Sequence, residues 1–300
     1  MLLGYTFLKT DSLGVAYNLL RRAADIFQGD PTIWHNIGKC HHDRQDDESA
    51  EMYFRKALKI KPTFANSLEG LGLIYLNRCD YDKALFYCNQ CLAEDPDALE
   101  ARVNRGMAYL ATKRWREGWR DYNVNIGKQK DRKEFIYGNE VRWDGSKGLD
   151  VVCYGEQGIG DEISFASCLP DLIRDSKSVT IECDGRLEGL YKRSFPACEV
   201  HGTRYKPPEK VVAWRSEKKF DARVAIGQLP GFYRLKDSDF KGEPYLVPNP
   251  IMAAQWKTTL DGLGKKPKIG LAWTGGIPKT GKKRRSVTLD TFAPLFKGFD

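Results

Sequence analysis

The chain has 300 residues, of which 41% are hydrophobic and 29% charged, and this composition is typical of a folded protein of about two globular domains. No apolar run approaches the roughly 18 residues that a membrane-spanning helix needs, and residues 1–8 lack the basic flank of a signal peptide. The net charge of +8 is moderate, and its densest run, Lys282–Arg285, could meet phosphate on a small molecule or on nucleic acid, although such a run is more often a solvated loop. We do not expect a nucleic-acid partner. We expect a cytoplasmic protein without membrane insertion.

The cysteines and histidines do not suggest a metal site. Cys88 and Cys91 form a single CxxC pair, with no second pair or nearby histidine to complete a zinc shell. His41, which lies in a cluster with His35 and His42, occupies a position that the repeats described next fill with a core aromatic residue. We therefore predict reduced core thiols and no bound metal.

The first part of the sequence repeats itself every 34 residues. The shift aligns small residues in three registers: Gly4, Gly38, Gly72 and Gly106; Ala16, Ala50, Ala84 and Gly118; and Ala23, Ala57 and Cys91. The unit that begins at Pro31 matches the tetratricopeptide pattern, with small residues where paired helices cross closely and a proline after the second helix. We predict an all-α superhelix of about four such repeats over residues 1–125, the first incomplete.

Stacked repeats form a concave groove, lined by the first helix of each hairpin, that suits extended peptides. Asn36 and Asn104 share one register position in this groove, with Gly70 between them. Their amides either hold a peptide backbone or are ordinary solvated side chains, and the sequence leaves both possibilities open. In the fourth repeat, Trp115, Trp119 and Tyr122 add aromatic residues, which predicts that this terminal repeat docks on another structure.

Short apolar runs separated by helical stretches follow a charged helix and linker predicted over residues 126–147. We predict buried parallel strands at residues 149–154, 179–183, 211–214, 222–226 and 269–273. Residues 161–174 carry a helical apolar stripe between the first two runs. This βαβ pattern predicts an α/β open sheet.

A glycine-rich loop joins the first strand to its helix, with the sequence Gly155-Glu156-Gln157-Gly158-Ile159-Gly160-Asp161-Glu162. Glycines there permit a tight turn and leave the amides of a helix N-terminus free to face a ligand. The spacing GxxGxG differs from the GxGxxG of dinucleotide-binding proteins, which weakens a nicotinamide or flavin assignment, although Asp184 could serve a ribose hydroxyl. A methyltransferase or dehydrogenase stays open as an alternative.

Residues 155–170 resemble the first loop and helix of bacterial tetratricopeptide-repeat glycosyltransferases, relatives of the heptosyltransferases and, more distantly, of O-linked N-acetylglucosamine transferase. Further matching segments occur in the same order: Trp143-Asp144-Gly145, Gln228-Leu229-Pro230, Pro244-Tyr245-Leu246 and residues 268–275. The resemblance implies a GT-B fold, with an N-terminal Rossmann-like domain over residues 148–248. A linker helix and the truncated start of a second such domain follow over residues 249–300, about 100 residues short of a full domain.

The resemblance implies an inverting transfer of a sugar from a nucleotide-sugar donor to a protein or glycan acceptor. Asp161 takes the position of the catalytic base, although it is equally suited to cap its helix. The loop residues Gly155, Glu156, Gln157, Gly158 and Gly160 would surround it. The donor diphosphate would meet, without a metal or other cofactor, Thr274, Gly275, Gly276, Arg285 and Ser286.

A second interpretation is a non-catalytic scaffold, in which a degenerate transferase domain supports a repeat array that binds a protein partner. Under either interpretation we expect these 300 residues to be a fragment that is inactive by itself.

Overall fold

The computed structural model describes residues 13–128, 132–204, 214–215, 218–272 and 286–296. The chain divides into two compact units, with the boundary between Val247 and Pro248. In the described residues, no helix is both long and apolar enough to cross a membrane.

Seven α-helices occupy the described residues up to Tyr122, and they form antiparallel hairpins as the 34-residue period predicts. They are α1 (Leu13–Ile26), α2 (Pro31–Asp43), α3 (Asp47–Ile60), α4 (Ala65–Asn77), α5 (Tyr81–Glu94), α6 (Leu99–Ala111) and α7 (Trp115–Tyr122). The three complete pairs are α2 with α3, α4 with α5, and α6 with α7, and α1 lies in the register of their second helices. The prediction of a helical repeat superhelix is confirmed.

The turns inside the hairpins repeat as faithfully as the helices do. Gln45, Cys79 and Lys113, each 34 residues from the next, adopt positive φ angles of 64°, 59° and 62° between the paired helices. The aspartates that follow the first two of these residues cap the next helix: Asp46 accepts from the Ser49 amide at 3.1 Å and Asp80 from the Lys83 amide at 3.3 Å. A left-handed residue followed by a capping aspartate therefore sets the angle between the helices.

Glycine is required where paired helices cross. A Cβ atom added to Gly38 would lie 2.7 Å from the Phe54 ring, and one added to Gly106 would lie 2.6 Å from the Tyr122 amide nitrogen. Real Cβ atoms do not approach so closely, so a larger residue would force the hairpin apart. The steric interpretation of the repeat is confirmed.

A five-stranded, all-parallel sheet follows the repeats, in the order β1-β5-β2-β3-β4. The strands are β1 (Val141–Arg142), β2 (Asp150–Tyr154), β3 (Ser178–Asp184), β4 (Glu199–Arg204) and β5 (Ala222–Ala225). The chain adds β3 and β4 on one side of β2 and then returns to place β5 on the other side. The predicted α/β region with a parallel sheet is confirmed.

Short helices cover one face of this sheet and enclose its core. They are α8 (Ile159–Phe165), α9 (Leu169–Asp175), α10 (Glu188–Ser194) and α11 (Pro230–Tyr233). Val151, Ile181 and Val224 of the central strands pack against them with Leu172 and Tyr191.

One predicted helix of this region needs correction, and one predicted strand lies mostly outside the described residues. The helix expected over residues 161–174 is interrupted, because Pro170 starts a new helix, α9, after a 3₁₀ turn over Ala166–Cys168. Residues 211–213 of the strand expected at 211–214 lie outside the described residues, and Trp214 lies in a helical turn. The edge strand next to β3 is β4, which the apolar runs do not predict.

The segment predicted as a charged helix and linker contains no helix over the described residues 132–147. Phe135 and Tyr137 both pack on the Tyr154 ring, with centroids 5.4 and 6.2 Å away. Contacts from alternate residues are those of an extended chain, and this chain covers the second face of the sheet before it forms β1.

The second unit contains α12 (Pro250–Gly262) and α13 (Leu289–Phe296). Asn249 caps α12 by accepting from the Ile251 and Met252 amides. The strand expected at residues 269–273 does not form over residues 269–272, and Trp273 lies outside the described residues. Ile269 and Leu271 are exposed there, and the described part of this unit offers no neighbouring strand to pair with their backbone.

Candidate functional site

The glycine-rich loop lies where the strand order of the sheet reverses. It follows β2 at Gly155, and the 3₁₀ turn Ile226–Gln228 follows the neighbouring strand β5. In open α/β sheets, ligands bind outside the carboxyl ends of the strands at such a reversal. The candidate site is therefore the loop that the sequence predicts.

Glu156 is a buried structural residue of this loop. It is 3% exposed, and its Oε1 lies 2.9 Å from Arg132 Nη2 and accepts from Gln157 Nε2 at 3.1 Å. The Gly227 amide approaches Oε2 at 3.4 Å, and a Cβ atom on Gly227 would collide with the carboxylate. The Arg132–Glu156 pair thus fills the crevice between the carboxyl ends of β2 and β5.

Glu162, the second carboxylate near the loop, is also withdrawn from solvent. It is 1% exposed, its Oε2 accepts from the Asp184 amide at 3.1 Å, and its backbone carbonyl accepts from Tyr191 Oη at 2.9 Å. A Cβ atom on Gly155 would meet this carboxylate at 2.5 Å. Gly155 is therefore needed to let Glu162 tie the start of α8 to the end of β3.

Asp161 differs from both, because it is exposed. Its Oδ2 accepts from the Gly158 amide at 3.1 Å, so the side chain reaches back to the residue that precedes α8. The prediction that Asp161 is the N-cap residue is wrong, because Gly158 holds that position and Asp161, at the third helical position, accepts from its amide. Gly160 lies beside Asp161 with open space around its Cα, so it leaves the carboxylate accessible.

The last repeat contacts the loop directly. Tyr122, at the end of α7, donates its hydroxyl to Gln157 Oε1 at 2.9 Å. Arg132 Nη1 donates to the Tyr122 carbonyl at 2.8 Å and to Asn125 Oδ1 at 2.9 Å. Tyr122 is one of the extra aromatic residues of the fourth repeat, whereas nothing in the sequence distinguishes Arg132 from its charged neighbours.

Two tryptophans fix the same repeat to the α/β region. Trp119 Nε1 donates to the Arg234 carbonyl at 2.8 Å, and Trp115 Nε1 donates to Asp237 Oδ1 at 2.6 Å. Lys113 also donates to Asp237, and this contact holds the pKa of Asp237 below its ordinary value. The prediction that the terminal repeat docks on another part of the chain is confirmed.

The concave groove holds Asn36 and Asn104 in a mostly buried state, 5% and 7% exposed. They are not freely solvated side chains, and a bound peptide remains a prediction. Burial, together with Glu100, raises the pKa of Glu69 on α4 to about 7, with Lys39 opposing the shift. Burial lowers the pKa of His35 on α2 to about 4.

The histidines next to His35 pair with carboxylates at the turn between α2 and α3. His41 Nδ1 lies 2.9 Å from Asp46, and His42 Nδ1 lies 2.9 Å from Asp47. The described residues contain no group of three or more histidine, cysteine, aspartate or glutamate side chains that could hold a metal ion.

Five residues are predicted to bind the donor. Thr274, Gly275, Gly276 and Arg285 lie outside the described residues. Ser286 belongs to the second unit.

Comparisons with known proteins support the repeat array. Residues 31–64 and 65–98 each match a family model described as tetratricopeptide repeat, and the two segments coincide with the hairpins α2/α3 and α4/α5. The first part of the chain is therefore a tetratricopeptide repeat array, a type of structure that binds other proteins.

The chain is 26% identical over 258 residues to Protein FlbA of Caulobacter vibrioides, a match that covers 80% of this chain and 43% of FlbA. It is 26% identical over 110 residues to human Tetratricopeptide repeat protein 6, covering 35% of this chain and 21% of that protein. A solved mutant of Thermobaculum terrenum O-GlcNAc transferase is 14% identical, with a TM-score of 0.40, covering 60% of this chain and 36% of that one. The chain spans less than half the length of these relatives.

Proposed function

We propose that this chain is part of an inverting glycosyltransferase, which transfers a sugar from a nucleotide-sugar donor to a protein or glycan acceptor. One observation carries the proposal. Of the three carboxylates in and beside the glycine-rich loop, Glu156 and Glu162 are buried in structural contacts, and Asp161 alone is exposed. Asp161 is also the residue that the family resemblance assigns as the base.

The proposed reaction requires one positioned carboxylate from this part of the chain. Asp161 accepts the proton of an acceptor hydroxyl while that oxygen attacks the anomeric carbon of the donor sugar. The configuration at that carbon inverts, and the nucleoside diphosphate leaves. The hydrogen bond from the Gly158 amide orients the carboxylate. The resemblance supplies Thr274, Gly275, Gly276, Arg285 and Ser286 for the charge on the leaving group.

In this proposal the repeats bind the acceptor. A polypeptide held in the concave groove, with Asn36 and Asn104 as contacts to its backbone, would lie along helices whose last member is tied to the loop. The Tyr122–Gln157 hydrogen bond is that link. A cytoplasmic location is part of the same proposal.

The test uses the protein made from the full-length gene. Release of nucleoside diphosphate from UDP- and GDP-sugars is measured with wild type, Asp161→Asn and the control Asp82→Asn. Asparagine can still accept from the Gly158 amide but cannot take up a proton, so we expect turnover to fall at least about 100-fold. Asp82 is an exposed carboxylate in the first turn of α5, and its replacement should leave turnover unchanged. Equal turnover in wild type and Asp161→Asn would exclude Asp161 as the base.

A second candidate function, the non-catalytic scaffold, is favoured by the Arg132–Glu156 pair. This pair occupies the crevice in which α/β sheets commonly bind ligands. Thermal-shift measurements on the full-length protein with nucleotide sugars, S-adenosylmethionine and NAD separate the possibilities. A shift with nucleotide sugars supports the transferase, a shift with S-adenosylmethionine or NAD supports another enzyme class, and no shift supports the scaffold.

A further inference from the structure

A cleft of about 620 Å³ lies on the repeat array between α1 and α3. Helix α3 is the second helix of its hairpin, and α1 lies in the same register. The cleft therefore belongs to the outer face and not to the concave groove that the first helices line. Its volume is sufficient for several side chains. We call it the outer cleft.

The lining of the outer cleft combines an aromatic surface with an apolar rim. The rings of Trp34 and Tyr53 are nearly parallel, with centroids 6.2 Å apart and an interplanar angle of 7°. The indole nitrogen of Trp34 already donates to the Gln28 carbonyl at 2.9 Å, so its ring needs no further polar partner. Met52, which is 55% exposed, and Ile60 add apolar surface. The two rings are only 6% and 9% exposed and form the floor of the cleft, so the exposed Met52 and Ile60 would accept a large apolar side chain.

The charge of the outer cleft is positive. Arg21, Lys56 and Lys59 line it together with one carboxylate, Asp25. None of these three cations forms an ion pair with a residue that the structure describes. By contrast, four other cations of the array are paired with carboxylates: Arg55 and Arg78 with Glu51, Lys83 with Asp80, and Arg105 with Asp121.

Uncharged contacts hold two of these cations in place. Arg21 Nη1 donates to Tyr53 Oη at 3.3 Å, and Lys56 Nζ lies 3.3 Å from the centroid of the Trp34 ring. A cation on an aromatic face or a phenol keeps its full charge and can still meet an anion. The outer cleft thus combines the exposed apolar side chains Met52 and Ile60 with cations whose charge is not neutralised.

We propose that the outer cleft binds an acidic peptide segment of a partner protein. A large apolar side chain of the peptide contacts Met52 and Ile60, and its carboxylates contact Arg21, Lys56 and Lys59. Carboxylates spread along a peptide can avoid Asp25, whereas a compact phosphate group would lie close to it and be repelled. The proposal needs neither Asp161 nor a sugar donor, so it stands apart from the proposed transferase.

The test measures binding of a labelled peptide, fluorescein-Glu-Glu-Leu-Phe-Glu-Glu-amide, to the 300-residue chain by fluorescence anisotropy. The cleft variant is Arg21→Glu with Lys59→Glu. The matched control is Arg22→Glu with Lys61→Glu, which makes the same charge change at exposed neighbours that do not line the cleft. We expect the cleft variant to weaken binding at least about tenfold and the control to change it less than about twofold, with weaker binding at high salt.

Further variants test the two parts of the site. Met52→Ala should weaken binding of this peptide but leave binding of a Leu-Phe-to-Ser-Ser peptide unchanged. Because these side chains are exposed, all the variants should keep the wild-type melting temperature. The proposal is overturned if wild type does not bind the peptide, if both charge pairs weaken it equally, or if inorganic phosphate displaces the peptide. Loss of binding in Lys39→Glu, which changes α2 of the concave groove, would also overturn it.

Discussion

Two half-buried titratable residues of the repeat array respond to pH in opposite directions. Glu69 has a folded pKa of about 7, above its ordinary value of 4.5, so it favours folding at low pH and this contribution is lost as the pH rises from about 4.5 to 7. His35 has a folded pKa of about 4, below its ordinary value of 6.5, so its burial opposes folding increasingly as the pH falls from about 6.5 to 4. The unfolding free energy of the wild type therefore contains two terms that partly cancel.

Glu69→Gln should separate these terms. Glutamine has a similar shape and no charge, so we expect the variant to be more stable than wild type at pH 8, by about 2 kcal/mol, with the difference vanishing near pH 4. Urea unfolding at both pH values measures it, and Glu94→Gln, at the exposed end of α5, is the control. A stability difference that is the same at both pH values would contradict the assigned pKa.

At the scale of the elements, the Arg132–Glu156 pair joins the segment that follows the repeats to the loop after β2. Both side chains are buried, so removing one leaves an uncompensated charge. We expect Arg132→Met to lower the free energy of unfolding by about 3–5 kcal/mol and the double variant with Glu156→Gln to recover part of this loss. Arg142→Met removes an exposed partner of Glu134 and should cost less than about 1 kcal/mol. Urea unfolding of wild type, Arg132→Met, Glu156→Gln and the double variant measures the coupling between the two side chains. A double variant no more stable than Arg132→Met would exclude this coupling.

The elements that could be predicted from the sequence are those whose signal is local. The hairpins depend on small residues at fixed spacing, and β2, β3 and β5 each contain a short run rich in apolar residues. Strand β4 could not be predicted in this way, because in Glu199–Arg204 only Val200 joins the buried core of the sheet. At the site, glycine spacing locates the loop and Asp161, but Arg132 is identified only by a contact that spans 24 residues.

At the scale of the whole first unit, docking of the terminal repeat decides whether the array and the sheet unfold together. The contacts come from α7 and from the residues around α11, and Trp119 is central because it is buried and also packs on Phe165, with ring centroids 6.4 Å apart. An array without this contact would unfold from its ends, repeat by repeat. The docked repeat instead joins the last hairpin to the core of the α/β region, which a later part of the sequence forms.

Trp119→Ala tests this coupling. Loss of a buried tryptophan side chain costs about 3–5 kcal/mol, and it also removes the hydrogen bond to the Arg234 carbonyl. We expect wild type to show one unfolding transition for both parts and the variant to show two, with faster amide hydrogen exchange in α7 and α11 while β2 and β3 stay protected. Trp256→Ala, which removes an exposed tryptophan of the second unit, should change neither. A single transition in Trp119→Ala, with uniform loss of protection, would mean that the two parts form one cooperative core without this contact.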